Sequence, residues 1–201
     1  MSKINESILV TGTGRCGTTF LMALFTLLGM DTGFTSETLK DNIHDKTKGG
    51  LEKNPREHKI TKNPGFIFMI ESYILHYKQV PKMVIIPVRN FNESVESRYK
   101  NTEEQGLLDE PKPVEITASK GSGGLWNADT KEEQIQFYNK CMADYIQVMT
   151  RYGIPTKFID FHHMTMNSRY LFESLKDVID PDVTYERFDE CYREATSLCA
   201  R

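Results

Sequence analysis

The chain has 201 residues, 39% of them hydrophobic and 26% charged, with a formal net charge of −3. That balance excludes a disordered chain and fits one soluble domain, spanning 1–201, able to bury roughly 70% of its extended-chain surface. The slightly acidic total excludes a general polyanion-binding face, so nucleic acid is not an expected partner and cationic work must be confined to a pocket.

The first predicted elements are a strand over 7–12, a turn, and a helix over 18–29. They enclose Thr11-Gly-Thr-Gly-Arg-Cys-Gly17, which reads as a phosphate cradle. Gly12, Gly14 and Gly17 let backbone N–H groups curl around an oxyanion, and Thr18 and Thr19 add hydroxyl donors at the positive end of the helix. Fitted to G-x-x-x-x-G-K-[ST], the loop carries Thr18 where an ATP-binding loop has its lysine; the basic residue is Arg15, three positions earlier. The loop is therefore built for an anion other than the usual nucleoside triphosphate. Cys16 is either a thiol of depressed pKa at a helix start or a small residue that fits a crowded turn. The four cysteines, Cys16, Cys141, Cys191 and Cys199, have no metal-ligand spacing, so no metal is expected. Phe20 to Met30 is too short to cross a bilayer, and with no secretory leader a cytoplasmic location without a membrane partner is expected.

Thr35 to Glu57 escapes periodicity and carries Glu37, Asp41, His44 and Asp45. A strand over 57–62 and a helix over 66–78 follow. Next comes a buried strand over 82–89 ending in Arg89, then a helix over 92–100 that holds Ser97 two turns in. An arginine at a strand's carboxyl end and a serine eight residues on can meet a second phosphate. The stretch 101–130 is a long loop containing Lys120-Gly-Ser-Gly-Gly-Leu-Trp126, either a flexible hinge or a gate over a ligand. A helix over 131–152 shows a core stripe of Ile135, Tyr138, Cys141, Met142, Tyr145, Ile146 and Met149, and a strand over 156–161 and helices over 168–179 and 184–199 close the chain. This alternation predicts an α/β, three-layer, P-loop-type fold with a central parallel sheet of four to five strands and helices on both faces.

At Arg15-Cys-Gly-Thr-Thr19 and at Arg89 with Ser97, the chain resembles the sulfotransferases that use 3′-phosphoadenosine 5′-phosphosulfate (PAPS). The resemblance implies that Gly14, Arg15, Cys16, Gly17, Thr18, Thr19 and Phe20 form the 5′-phosphosulfate loop, and that Arg89 and Ser97 take the 3′-phosphate. Thr61-Lys-Asn-Pro64 resembles the element whose lysine approaches the sulfuryl group, which would be Lys62. Phe158 to Met164 resembles the late strand of the family with Phe-His-His-Met in place of the usual Tyr-Glu-Asp-Leu, and implies an adenine contact by Phe161. Lys120 stands where a basic, glycine-rich cofactor loop would lie, earlier in the chain than is usual.

Sulfuryl transfer needs an acceptor held in line, a base, and positive charge on the leaving oxygen. Arg15, Lys62 and the loop amides answer the last need without a metal. The histidine that cytosolic members carry just after the strand-two lysine is replaced here by Asn63. Carbohydrate and tyrosyl-protein sulfotransferases instead place a glutamate a little over twenty residues beyond the basic loop residue, which makes Glu37 the first candidate base; a capping carboxylate is its other reading. His44 is the next candidate, and a mechanism without a protein base stays open. The expected function is a PAPS-dependent sulfotransferase acting on a carbohydrate or small-molecule hydroxyl. The alternatives are a P-loop kinase using ATP and Mg²⁺ and a non-catalytic nucleotide-binding module.

Overall fold

The computed structural model describes residues 3–44, 49–104 and 125–200. Four strands, β1 (Lys3–Val10), β2 (Ile60–Lys62), β3 (Gln79–Val88) and β4 (Thr156–Asp160), form one all-parallel sheet in the order β2-β1-β3-β4. Among the described residues eight helices connect and cover them: α1 (Thr18–Leu27), α2 (Ser36–Asn42), α3 (Phe66–Tyr77), α4 (Phe91–Glu104), α5 (Lys131–Tyr152), α6 (Phe161–Met166), α7 (Ser168–Leu175) and α8 (Tyr185–Cys199).

Period-two alternation on the strands creates two cores. Ile8, Val10, Ile60, Ile85 and Ile159 face α1, α7 and α8, where Leu21, Leu24, Phe25, Leu171, Phe188 and Cys191 pack against them. Leu9, Val84 and Ile86 point the other way, onto Ile67, Ile70 and Ile74 of α3 and Cys141 and Tyr145 of α5. The result is the expected α/β layering with four strands. Strand apolarity on both faces is the reason it was legible: a parallel sheet buried twice reads as a nearly continuous apolar run.

Two helices depart from the expected element list. The segment between α1 and β2 contains α2, started by a reciprocal cap between Thr35 and Thr38. Leu39, Ile43 and Leu51 anchor it in the first core, and an antiparallel bridge joins Ile43 to Gly50. The segment after β4 turns directly into α6, because Asp160 accepts a hydrogen bond from the His163 N–H and caps it. Lys120, with the rest of 105–124, lies outside the described residues. Among those described, no helix is long and apolar enough to cross a membrane.

Candidate functional site

In a parallel sheet every strand ends at the same edge, and that edge gathers the residues of interest. The loop after β1, Lys62 at the end of β2, Arg89 just past β3 and Phe161 just past β4 all lie there.

The loop itself is backbone under constraint. Gly17 caps α1 at φ +88°, and a Cβ on it would lie 2.6 Å from Met164 Cε and 3.2 Å from the Phe161 ring, so glycine is required by conformation and by α6 alike. Arg15 is left-handed at φ +57°, a course that costs a non-glycine residue on the order of 1 kcal/mol. Two contacts hold it: Arg89 Nη1 donates to the Arg15 carbonyl at 3.1 Å, and Arg15 Nε donates to Ser97 Oγ at 3.3 Å. The two motifs separated by more than seventy residues in sequence therefore meet through side chains.

Arg89 is otherwise held by Glu93, which accepts from its Nε at 3.1 Å, and by the Phe161 ring 4.6 Å beneath its guanidinium. Glu93 also meets His162 Nε2 at 3.0 Å. The Arg89 hydrogen bond, with His162 beside it, holds the Glu93 carboxyl below the usual range.

Lys62 is 1% exposed, an expensive place for an ammonium. Its Nζ donates to Thr19 Oγ1 at 3.0 Å, to the Gly50 carbonyl, and to Glu52 Oε1 at 2.7 Å. Burial pulls its pKa below the ordinary lysine value, and the Glu52 charge works against that pull. The α2 segment is thus the other wall of the site: its left-handed Gly50 and Leu51 bring one carbonyl and one carboxylate to the β2 lysine.

Several assigned residues take a narrower place than expected. The Cys16 side chain is fully buried, and that burial pushes its thiol up to about 11, the reverse of an activated cysteine; it is the small residue of a crowded loop. The Phe20 ring turns into the core, edge-on to Tyr192 at 5.5 Å, so only its backbone N–H belongs to the helix start. Thr18 is buried beneath the loop. Glu37 is exposed in the first turn of α2, where hydrogen bonding to Thr35, its own helix-start amide and Ser36 lowers its pKa. That is the setting of a capping carboxylate, the other reading of this residue. His44 is exposed, and its N–H donates to the Gly49 carbonyl beside the Ile43–Gly50 bridge.

Glu52, Glu93 and Arg98 went unassigned in the sequence. Glu52 lies in an aperiodic stretch and nothing local marks it. Arg98 did leave a signal: in α4 the inward positions are Ser94, Val95, Arg98 and Asn101, and a charge on that stripe is out of place unless it has work to do. Among the described residues no cluster of three or more His, Cys, Asp or Glu side chains could hold a metal. An open cavity of about 500 Å³ lined by Asp31, His58, Lys59 and Gln79 lies at the amino-terminal end of β3, away from the loop. There Asp31 is occupied by His58 Nδ1 at 2.8 Å and the Lys59 N–H at 3.0 Å.

The site is thus a glycine-rich loop and helix start ringed by Arg15, Lys62 and Arg89 at the carboxyl edge of a parallel α/β sheet, a setting for an anionic ligand. No protein-family model matches the sequence, and neither a curated protein nor a solved structure shows significant similarity to it.

Proposed function

We propose that the chain is a sulfotransferase that moves a sulfuryl group from PAPS to a hydroxyl of a carbohydrate or small-molecule acceptor. The observation that carries this reading is the pairing of two cation groups at one edge: Arg15 and Lys62 at the loop, and Arg89 with Ser97 beside it, bound to the loop through Arg15. One anion group needs one such cluster; a nucleotide phosphorylated at both ends needs two.

When bound, the donor supplies an electrophilic sulfuryl group on a phosphate leaving oxygen. Arg15, Lys62 and the N–H groups around Gly17 would hold the 5′ end and meet the negative charge that grows there. Arg89 and Ser97 would hold the 3′-phosphate, and Phe161 offers the adenine a face next to Arg89. A carboxylate for the acceptor proton is at hand in Glu52, exposed to solvent and 2.7 Å from Lys62, which makes it the better base than Glu37. The acceptor oxygen would bond to sulfur as the bond to the phosphate oxygen breaks, its proton passing to Glu52.

Incubation with PAPS and a panel of sugar and phenolic hydroxyl acceptors tests the proposal. Acceptor-dependent release of adenosine 3′,5′-bisphosphate supports it. Phosphate transfer from ATP and Mg²⁺, with none from PAPS, would replace it with a kinase.

A further inference from the structure

Arg98 is the largest side chain in the described structure that is almost wholly buried, at 2% exposure. Its Nε donates to the Tyr138 hydroxyl at 2.7 Å, and its guanidinium lies 3.9 Å from the centre of the Trp126 ring. Burial raises the Tyr138 pKa, so the hydroxyl that accepts from Arg98 is a neutral phenol. The third side of the guanidinium meets the glycine-rich loop: a Cβ built on Gly14 would lie 2.1 Å from Arg98 Nη2 and 3.2 Å from Trp126 Cη2. Gly14, at φ +78°, is thus glycine both for its left-handed turn and for the space that Arg98 occupies. The charge is felt within the loop, where with Lys62 it opposes the rise in the Cys16 pKa.

Burying a guanidinium carries a desolvation penalty that an apolar residue on the same helical stripe would avoid. Pressed against a loop that holds an anion, the same charge has a use, because attraction is strongest where water is excluded. We propose that Arg98 is a positioning residue of the anion site: through Gly14 it braces the loop and strengthens its hold on the 5′-terminal phosphate or sulfate of a nucleotide, and Trp126, stacked on the same guanidinium, responds to that occupancy. The inference rests on the reading that the loop binds an anion, and not on sulfuryl transfer. It also distinguishes Arg98 from Arg89: Arg98 serves any 5′-phosphate, whereas Arg89 serves only ligands carrying a 3′-phosphate.

Trp126 is the only tryptophan of the chain, so its emission reports on this one place. Wild type, Arg98→Met and Arg98→Lys are titrated with AMP and with adenosine 3′,5′-bisphosphate, by calorimetry and by Trp126 emission. Arg98→Met is expected to weaken both ligands by a similar factor of about tenfold or more, with partial recovery in Arg98→Lys. In wild type the emission should change saturably with the calorimetric midpoint. Unaltered affinities in a folded Arg98→Met overturn the inference and leave the sulfotransferase reading intact. Constant wild-type emission while heat saturates overturns it too, and needs no variant to fold. Binding of AMP with the emission response but no preference for the bisphosphate upholds the inference and removes the donor assignment; a wild type that binds neither nucleotide overturns both.

Discussion

Replacing Lys62 with Met asks whether its buried ammonium serves the site or the fold. Three groups lose a partner: the Thr19 hydroxyl, the Gly50 carbonyl and the Glu52 carboxylate. Losing the donor costs about 1–2 kcal/mol for each of the first two. Glu52 is 48% exposed, so water takes the place of the lysine and the lost pair weighs under about 1 kcal/mol. Against these stands the release of a desolvation penalty of several kcal/mol for an ion as buried as Lys62. Methionine fills nearly the same volume, so the terms cancel to within about 1 kcal/mol, or a melting shift of no more than about 4 °C for a chain of this size. Binding should not cancel: with the cation gone, affinity for adenosine 3′,5′-bisphosphate is expected to fall by about tenfold to a hundredfold. Scanning calorimetry of the free protein and titration of the nucleotide measure the two sides. A melting temperature lower by about 10 °C or more, with affinity retained, would instead make Lys62 a structural pin with no part in binding.

Other expectations follow from the same geometry. Glu52→Gln keeps a hydrogen-bonding partner for Lys62 but removes basicity, so kcat should drop on the order of a hundredfold with bisphosphate affinity preserved, while Glu37→Gln leaves kcat unchanged; steady-state kinetics with any accepted hydroxyl compares them, and the reverse ranking would restore Glu37. Burial holds the Cys16 thiol at about 11, whereas the unfolded chain releases that proton near the ordinary value of 9.0. Between those values the native state binds more protons, so stability falls as pH rises, by about 2 kcal/mol from this group between pH 8 and pH 10.5. Denaturant unfolding at the two pH values should show a smaller loss in Cys16→Ala; an identical loss would mean that the thiol titrates normally. Gly14→Ala puts a side chain at φ +78° and must displace the end of Arg98, so denaturant unfolding of the variant should show a loss of about 1–3 kcal/mol; unchanged stability would mean that the turn and Arg98 both yield freely.

The parts of this molecule that could be read in its sequence are those governed by local chemistry. Apolar runs flanked by turn residues announced the strands, and Gly12, Gly14 and Gly17 announced a loop whose conformation only glycine accepts without cost. Arg89 and Ser97 could be placed near one another because a strand end and a position two turns into the following helix fix their relative place. Glu52 was not, since its position depends on the excursion from α2 back to β2, set by Leu39, Ile43 and Leu51 packing into a core assembled from distant elements. Glu37 is the opposite case: its spacing from Arg15 suggests a role, while its exposed place in the first turn of α2 depends on the Thr35 cap, which spacing alone does not reveal. α6 was missed because Phe161 and Met164, apolar enough to continue a strand, are drawn into a helix by the Asp160 cap and pack on Gly17.

Two phosphate groups on one nucleotide, at its 5′ and 3′ positions, are what the proposed site is built to hold. Calorimetric titration of wild type and Arg89→Ala with adenosine 3′,5′-bisphosphate, AMP, and ATP with Mg²⁺ measures whether it does. Wild type should bind the bisphosphate most tightly, Arg89→Ala should lose about 2–3 kcal/mol of that binding, and AMP should bind both proteins alike. Tightest binding of ATP with Mg²⁺, or equal losses for the bisphosphate and AMP in Arg89→Ala, would contradict it.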